Sequence, residues 1–244
     1  MIVHAEVEQL SPEWFAMRRG IPTTSEFKRI VTPGGKLSAQ SADYMHRLLA
    51  EWILDRPLEE DALETKWMER GRKLEDEAVR SYEFETERVT ETVGFITSDD
   101  GLIGCSPDRL IVGEPGLLEI KCPAPQTHVG YMLRRTVDKD YLPQCMGQLY
   151  VTGREWVDIQ SYHPGLPSVI IRVERDEKYI DALAVALADF VAYMVTAREL
   201  LTQEYGPFRR APKPAEPEDG IPGLSITDED IDALVREKFP KEQA

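Results

Sequence analysis

A chain of 244 residues with 42% hydrophobic and 30% charged side chains has the composition of an ordinary globular protein and the length for one domain with additions, or at most two. Its formal net charge of -15 argues against long-range attraction to nucleic acid, so any DNA site must be a local basic channel within an acidic exterior. Its three cysteines form no CxxC pair and its four histidines are scattered, which argues against disulfides, a zinc site and a four-cysteine iron–sulfur site.

The first third of the chain is predicted to be helical. Ser11 and Pro12 begin a helix that Gly20 can end, and a second, short helix is predicted over residues 26–30. A third helix reaches about residue 56, where Pro57 stops it, and a fourth covers about 64–84. The apolar stripe predicted for this fourth helix consists of Trp67, Leu74, Ala78 and Phe84, with Glu75 beside it.

The remainder of the main region alternates strands with helices. Strands are predicted over 89–96, at both sides of a hairpin within 102–121, and over 156–162 and 168–174. Helices are predicted around 127–135 and 141–150, the second with Gln144 and Gln148 one turn apart. A long helix capped by Asp176 carries an apolar stripe to about Leu201, which we interpret as core or a subunit contact.

At Gly206 the composition changes. Residues 206–223 are rich in Pro, Gly and charge and are predicted to be a linker, and residues 224–244 an acidic C-terminal helix. A short helix with Ile231, Leu234 and Val235 on one side is not stable alone, so we expect it to dock on its own chain, a neighbouring subunit or a partner. We recognise no signal peptide and no apolar run long enough to span a bilayer, which predicts a cytoplasmic protein without a membrane partner.

The predicted hairpin brings two carboxylates and a lysine together. Asp108 follows a Pro turn, and Glu119 and Lys121 share one face of the next strand because successive residues point to opposite sides. Asp108 and Glu119 would then lie close enough to share a cation. Two hard oxygen ligands with open positions for water and phosphate are typical of Mg²⁺ at phosphoryl-transfer sites, and Lys121 could offset charge on the phosphate. This is the D…E-x-K pattern of the PD-(D/E)XK nuclease superfamily.

Further blocks surround this pattern from about residue 8 to residue 201, which is most of the chain. In order they are Trp14 with Met17-Arg18-Arg19-Gly20, Thr24-Ser25-Glu26, Gly71 with Glu75, Cys105-Ser106-Pro107-Asp108, Leu118-Glu119-Ile120-Lys121-Cys122-Pro123, Tyr141 with Gln144, and residues 174–179. Together they resemble the lambda-exonuclease and YqaJ-type viral recombinase family. The resemblance makes residues 1–205 the nuclease domain, and it implies an α/β, PD-(D/E)XK restriction-endonuclease-like core with a mixed central β-sheet flanked by helices.

The resemblance also implies an activity. Members of the family are Mg²⁺-dependent exonucleases that digest one strand of linear double-stranded DNA processively from 5′ to 3′, release mononucleotides and leave a 3′ single-stranded tail for recombination. We therefore expect two Mg²⁺ ions per site, with Mn²⁺ as a substitute, and DNA ends as substrate. A toroidal homotrimer and a single-strand annealing protein as partner are implied as well. The setting would be the cytoplasm of a bacterial host, with a phage or prophage gene.

The family's functional residues fall on matching positions. The resemblance implies that Asp108, Glu119 and the Ile120 carbonyl are metal ligands and that Lys121 positions or activates the attacking water. The remaining implied site residues are a helix carboxylate and a polar and an aromatic residue beside the water, with two residues that bind the 5′-terminal phosphate: Glu75, Gln144, Tyr141, Arg18 and Ser25.

Two departures and two alternatives accompany the resemblance. Arg109 stands where the family has Gly, and an upstream acidic position falls near residues 98–100 without a clean match. One alternative is an endonuclease of the same superfamily that needs no DNA end, and the other is a non-catalytic DNA-end-binding recombination scaffold. Basic residues that could line a DNA channel are Arg18, Lys28, Arg29, Lys36, Arg70, Arg72, Arg134 and Arg135.

Overall fold

The computed structural model describes residues 1–58, 66–136 and 138–208, with residues 66–69 described by their backbone alone. Most of the predicted linker 206–223 and the whole of the predicted helix 224–244 lie outside these ranges, as does the side chain of Trp67. The helices are α1 (Pro12–Arg18), a 3-10 helix (Thr24–Arg29), α2 (Ser41–Leu54), α3 (Lys66–Thr86), α4 (Pro125–Arg134), a 3-10 turn (Lys139–Tyr141), α5 (Leu142–Thr152) and α6 (Glu177–Tyr205).

The strands form two sheets. A five-stranded sheet has the order β2 (Thr90–Glu91), β5 (Arg109–Ile111), β6 (Gly116–Lys121), β7 (Trp156–Ser161) and β8 (Val169–Glu174). Within it β6 and β7 are parallel and the other neighbours are antiparallel, so the sheet is mixed as the resemblance implied. A small antiparallel sheet has the order β1 (Ile2–His4), β3 (Phe95–Thr97) and β4 (Gly104–Cys105).

Alternating residues of β6 and β7 pack on opposite faces of the large sheet, as the pleat requires. Leu117, Val157 and Ile159 join the main core, where helices α2, α5 and α6 supply most of the other side chains. Leu118 and Trp156 instead join Tyr82 of α3 in a smaller cluster on the other face. The sheet is therefore covered by helices on both faces.

A buried carboxylate anchors α3 on its face of the sheet. Asp158 of β7 is 2% exposed and accepts a hydrogen bond from the Tyr82 hydroxyl at 2.8 Å. The guanidinium of Arg172 donates to both oxygens of the same carboxylate, at 2.8 and 3.0 Å, so the buried charge is neutralised. Sequence analysis did not predict this network, which holds the helix that carries Glu75.

Several sequence predictions differ from the structure. The strand predicted over 89–96 is wrong: its two ends, β2 and β3, belong to different sheets. The helix predicted over 26–30 is the 3-10 helix Thr24–Arg29. Phe84 is 87% exposed rather than part of the apolar stripe of α3, whose buried aromatic is Tyr82.

The long helix α6 requires a correction to the membrane prediction. Its 29 residues reach a mean hydropathy of 1.7 in an 18-residue window, so by length and composition alone it could span a bilayer. Its buried residues, among them Leu183, Leu187 and Phe190, are part of the main core cluster. The predicted core stripe of this helix is therefore confirmed, and 33% of that window is buried within the chain.

Candidate active site

Glu119 lies near the end of β6, the central strand of the large sheet. It is 4% exposed, and its Oε1 accepts hydrogen bonds from Lys121 Nζ at 2.6 Å and from Gln144 Nε2 at 2.7 Å. Its Oε2 accepts a third bond from Gln148 Nε2 at 2.7 Å. Because β6 alternates faces, Glu119 and Lys121 point to the same side, towards α5. A buried carboxylate with three donors is held in one orientation.

The two glutamines of α5 reach Glu119 because they are one helical turn apart on the face turned to the sheet. A close approach of α5 to the 3-10 helix Thr24–Arg29 fixes that face. At Gly147 an added Cβ would lie 2.5 Å from the Phe27 ring, so only glycine allows this spacing. The carboxylate region and the segment containing Ser25 are thereby packed against the same helix.

Asp108 stands directly before β5, which pairs with β6 in an antiparallel hairpin. Its Oδ2 accepts a hydrogen bond of 2.5 Å from the backbone N–H of Ile120, the residue after Glu119. Among the described residues nothing bonds to the other oxygen, Oδ1. Burial, followed by the charge of Glu119, raises the pKa of Asp108 well above its usual range. Two carboxylates are thus crowded together at a place that favours a cation.

Lys121 is a cation in this arrangement. Burial alone would lower its pKa, but the carboxylates of Glu119 and Asp108 outweigh that effect and raise it. Its Nζ also lies 4.9 Å from the ring centroid of Tyr141, so the ammonium is held between a carboxylate and an aromatic face. A lysine of this kind holds its proton at neutral pH and supplies a fixed positive charge.

The helix carboxylate Glu75 has a partner that the sequence did not predict. Arg109 Nη1 donates to Glu75 Oε1 at 2.7 Å and to the backbone carbonyl of Asp108 at 2.6 Å. The side chain of Arg109 is 13% exposed and that of Glu75 is 35% exposed. The departure from the family pattern at position 109 therefore contacts two of the predicted site residues, Glu75 and Asp108.

Arg18 and Ser25 are brought together through Thr23. Arg18 Nη2 donates to Thr23 Oγ1 at 3.3 Å, and that hydroxyl lies 3.4 Å from Ser25 Oγ. Burial lowers the pKa of Arg18, yet no carboxylate forms an ion pair with it among the described residues. Its neighbour Arg19, by contrast, is paired with Asp55. A half-buried guanidinium without an anionic partner is suited to bind an anion.

Trp14 joins the two halves of the site. The guanidinium carbon of Arg18 lies 4.0 Å from the centroid of its ring. Its indole Nε1 donates to Ser106 Oγ at 2.8 Å, two residues before Asp108. The position of Arg18 is therefore coupled to the loop that presents Asp108.

One cleft of about 1070 Å³ contains both halves. Its wall includes Asp108, Glu119 and Lys121 at one part and Arg18 and Ser25 at another. The Ile120, Glu75 and Tyr141 positions also line it, whereas Gln144 reaches the site through its bond to Glu119. Of the basic residues predicted for a DNA channel, Arg18 and Arg72 line this cleft and the others lie outside its wall.

The donor set suits a hard divalent cation. Asp108 Oδ1 has no bond from the described residues, and a carboxylate with a raised pKa binds a cation in place of a proton. Nowhere in the described ranges do three or more His, Cys, Asp or Glu side chains form a metal-binding group. Two carboxylates and a carbonyl would leave positions for water and phosphate, as Mg²⁺ prefers and a closed zinc site does not.

Sequence analysis did not predict Gln148 and Thr23 as site residues. Gln148 is fully buried and holds Glu119, and Thr23 bridges Arg18 and Ser25. The spacing of Gln144 and Gln148 was a visible signal, because two polar residues one turn apart on an otherwise apolar helix need a common partner. Nothing in the sequence indicated which hydroxyl among Thr23, Thr24 and Ser25 would face Arg18.

Comparisons with known proteins concern the family and the fold of the chain. A family model described as the YqaJ-like viral recombinase domain matches residues 13–155. The structure is similar to LHK-Exo, an alkaline exonuclease from Laribacter hongkongensis, with a TM-score of 0.71 and 30% identity over 80% of this chain and 98% of that chain. The same values hold for LHK-Exo in complex with dAMP.

A more distant likeness extends the fold comparison. A phage related exonuclease from Haemophilus somnus 129PT gives a TM-score of 0.59 at 13% identity, over 75% of this chain and 96% of that chain. No curated protein matches at a significant level. The predicted fold class, a mixed sheet flanked by helices, is confirmed, and the family match with the exonuclease neighbours supports a recombination-related exonuclease.

Proposed function

This chain belongs to the YqaJ-like viral recombinase domain family, and we propose that it is a Mg²⁺-dependent exonuclease that digests one strand of linear double-stranded DNA from its 5′ end. Mn²⁺ would substitute for Mg²⁺, two ions would occupy each site, and the products would be 5′-mononucleotides and a 3′ single-stranded tail. The observation that carries the proposal is one cleft lined both by Asp108, Glu119 and Lys121 and by Arg18, an arginine without a carboxylate partner among the described residues. LHK-Exo has been solved with dAMP, a mononucleotide of the proposed product class.

Two groups of residues that line the cleft would have different roles in this reaction. Asp108, Glu119 and the Ile120 carbonyl would hold Mg²⁺, which supplies Lewis-acid polarisation of the phosphodiester and lowers the pKa of water. Lys121 contributes a fixed positive charge beside the phosphate, where negative charge develops during attack. Gln144 and Gln148 keep Glu119 in place throughout.

The second group, Arg18 with Thr23 and Ser25, would hold the terminal phosphate. Arg18 offers a charged donor that Trp14 orients, and the Thr23 and Ser25 hydroxyls add neutral donors beside it. A bound 5′-phosphate would place the first phosphodiester of the strand towards the carboxylates in the same cleft. Such contacts fix position without reading bases, as a nuclease without sequence preference requires.

The oligomeric state, the partner and the cellular location are also proposed from the family. We propose a toroidal homotrimer that encloses the duplex and therefore acts processively, with a single-strand annealing protein that receives the 3′ tail. The protein would act in the cytoplasm of a bacterial host, from a phage or prophage gene. We propose no membrane partner, and the core stripe of α6, which includes Leu183 and Leu187, supports a role for this helix in packing within the chain.

Linear and covalently closed duplex DNA of one sequence, each incubated with Mg²⁺ or EDTA, test the proposal. We expect loss of the linear form with Mg²⁺ alone and an intact circle, and no digestion by Asp108→Ala or Glu119→Gln. Cutting of the circle would instead support the endonuclease alternative. DNA-end binding that is indifferent to Mg²⁺ and releases no nucleotides would support the non-catalytic scaffold.

A further inference from the structure

The contact between Arg109 and Glu75 changes the charge of the site. Three carboxylates face this part of the cleft, those of Asp108, Glu119 and Glu75, and two cations balance them, Lys121 on Glu119 and Arg109 on Glu75. With all five groups ionised, one net negative charge remains. Attraction between a divalent cation and its site scales with that charge.

Arg109 is placed to do more than support the fold. A single nitrogen, Nη1, donates both to Glu75 and to the backbone carbonyl of Asp108. The guanidinium therefore links α3 to Asp108, whose Oδ1 has no bond from the described residues. Glu75 is close enough for its charge to act on Asp108 and contributes to the raised pKa of that carboxyl. Neutralising Glu75 therefore changes the field at Asp108.

We propose that Arg109 is a positioning residue that holds Glu75 as a neutralised pair at the rim of the cleft and thereby sets the divalent-cation concentration at which the site fills. This inference rests on the proposed function, because it concerns the same metal site. Without Arg109 the carboxylate of Glu75 keeps its full charge beside Asp108. The site then gains one net negative charge and binds the cation more tightly.

The five charges give an ordered prediction for four variants. Arg109→Gln leaves two net negative charges, and we expect its affinity for Mn²⁺ to rise by about tenfold, the effect of a charge several ångströms away near a protein surface. Glu75→Gln leaves none, so its affinity falls. The double variant Glu75→Gln/Arg109→Gln restores the wild-type balance and an affinity near wild type. Arg109→Lys keeps the charge and also stays near wild type.

The experiment is Mn²⁺ binding to the metal-free, full-length protein without DNA, followed by electron paramagnetic resonance of free Mn²⁺ at pH 8. Arg88→Gln is the matched control, because Arg88 is also half-buried and paired with a glutamate, Glu114, which does not line the cleft as Glu75 does. Its affinity should be unchanged. Midpoints of Mg²⁺ activation in DNA digestion should follow the same order.

The outcomes separate this inference from the proposed function. If wild-type protein binds Mn²⁺ and Arg109→Gln binds it equally or more weakly, Arg109 has only a structural role and the inference is overturned. An affinity of the double variant equal to that of Arg109→Gln would also overturn it, since Glu75 would then not mediate the effect. Wild-type protein that binds no Mn²⁺ and digests DNA in EDTA would remove the metal site and the inference with it.

Discussion

At the scale of single residues, Asp108 is held in surroundings that disfavour its charged form. Burial and the charge of Glu119 raise its pKa, so the folded, metal-free protein takes up a proton that the unfolded chain would release. Folding stability is therefore lost as the pH rises from the unfolded pKa of this carboxyl to its folded pKa, and the loss is complete above the folded pKa. Such a cost is typical of a carboxylate positioned for function.

The variant Asp108→Asn tests this cost. Asn keeps an acceptor for the Ile120 N–H and removes the charge, so we expect the melting temperature in EDTA at pH 8 to rise by about 2–4 °C, the change that 1 kcal/mol produces at this size. At a pH below the unfolded pKa the two proteins should melt together, and cleavage should be absent. A variant that melts below wild type at pH 8 would contradict the account of Asp108.

Arg18 is predicted to make the protein prefer DNA ends that carry a 5′-phosphate. A charge-assisted bond from Arg18 to a terminal phosphate is worth about 1.5–3 kcal/mol, or roughly 10- to 100-fold in initial rate at low substrate. We expect duplexes with 5′-phosphate ends to be digested faster than duplexes with 5′-hydroxyl ends by a factor in this range. Arg18→Gln should bring the ratio close to one, while Lys178→Gln, an exposed change outside the cleft, should not alter it.

An equal rate on both ends for the wild-type protein would remove the phosphate role of Arg18. A preference that survives in Arg18→Gln would move the role to another side chain of the cleft.

The residues that bear charge in the site were visible in the sequence, because their types and spacing are dictated by chemistry. Asp108, Glu119 and Lys121 needed only the alternation of a strand and the logic of a shared cation. The contacts that hold them were not visible. Arg109 reaches Glu75 across 34 positions of sequence, and only the packing of α3 on the sheet brings the two together.

At the scale of elements, the distance between α5 and the 3-10 helix Thr24–Arg29 sets the position of Gln144 and Gln148 relative to the segment that contains Ser25. Gly147 allows this distance, because a Cβ there would meet Phe27 at 2.5 Å and Thr24 at 3.0 Å. Gly147→Ala must separate the two helices or displace a buried ring. Gln144 and Gln148, on the same helix, would move away from Glu119.

We expect Gly147→Ala to lower the free energy of unfolding by about 1–3 kcal/mol, the usual cost of overpacking, and to lower the rate of DNA digestion in parallel. Gly71→Ala is the control. Gly71 lies within α3 with nothing within 4 Å of an added Cβ, so alanine should stabilise the protein by about 0.5–1 kcal/mol. Urea unfolding measures both changes. A neutral Gly147→Ala would show that the close approach is not required.

Elements were predicted well where one periodicity covers the whole element, as in α6, whose buried stripe follows the expected spacing. The strand predicted over 89–96 failed for a physical reason. Residues 90–91 and 95–97 belong to two different sheets, so the chain changes direction between Glu91 and Phe95. A single alternating pattern of apolar residues cannot show such a change. The strand β1 has no alternation either, since three residues are too few to display a period.

At the scale of the whole molecule, a net charge of -15 must be reconciled with a polyanionic substrate. The proposed trimer would do so by surrounding DNA with the cleft side of each subunit while the acidic surface faces outward. We expect the full-length protein to have three times the chain mass of 27.8 kDa in sedimentation. A monomeric mass together with processive digestion would contradict the ring.

The predicted C-terminal helix 224–244 belongs to this scale because it must dock to be stable. Truncation after Phe208 retains the contact of its ring with Trp52, at 5.5 Å between centroids, and removes the segment. We expect the truncated protein to lose either the trimeric mass or binding to a co-expressed annealing protein. If both are retained, the segment docks on neither.

The most direct test of the central claim is a time course on linear duplex DNA labelled at either the 5′ or the 3′ end. The cleft geometry predicts early release of the 5′ label as a mononucleotide, retention of the 3′ label until late, and no release in EDTA or with Asp108→Asn. Early release of the 3′ label, or of labelled fragments longer than a nucleotide, would contradict the proposed exonuclease.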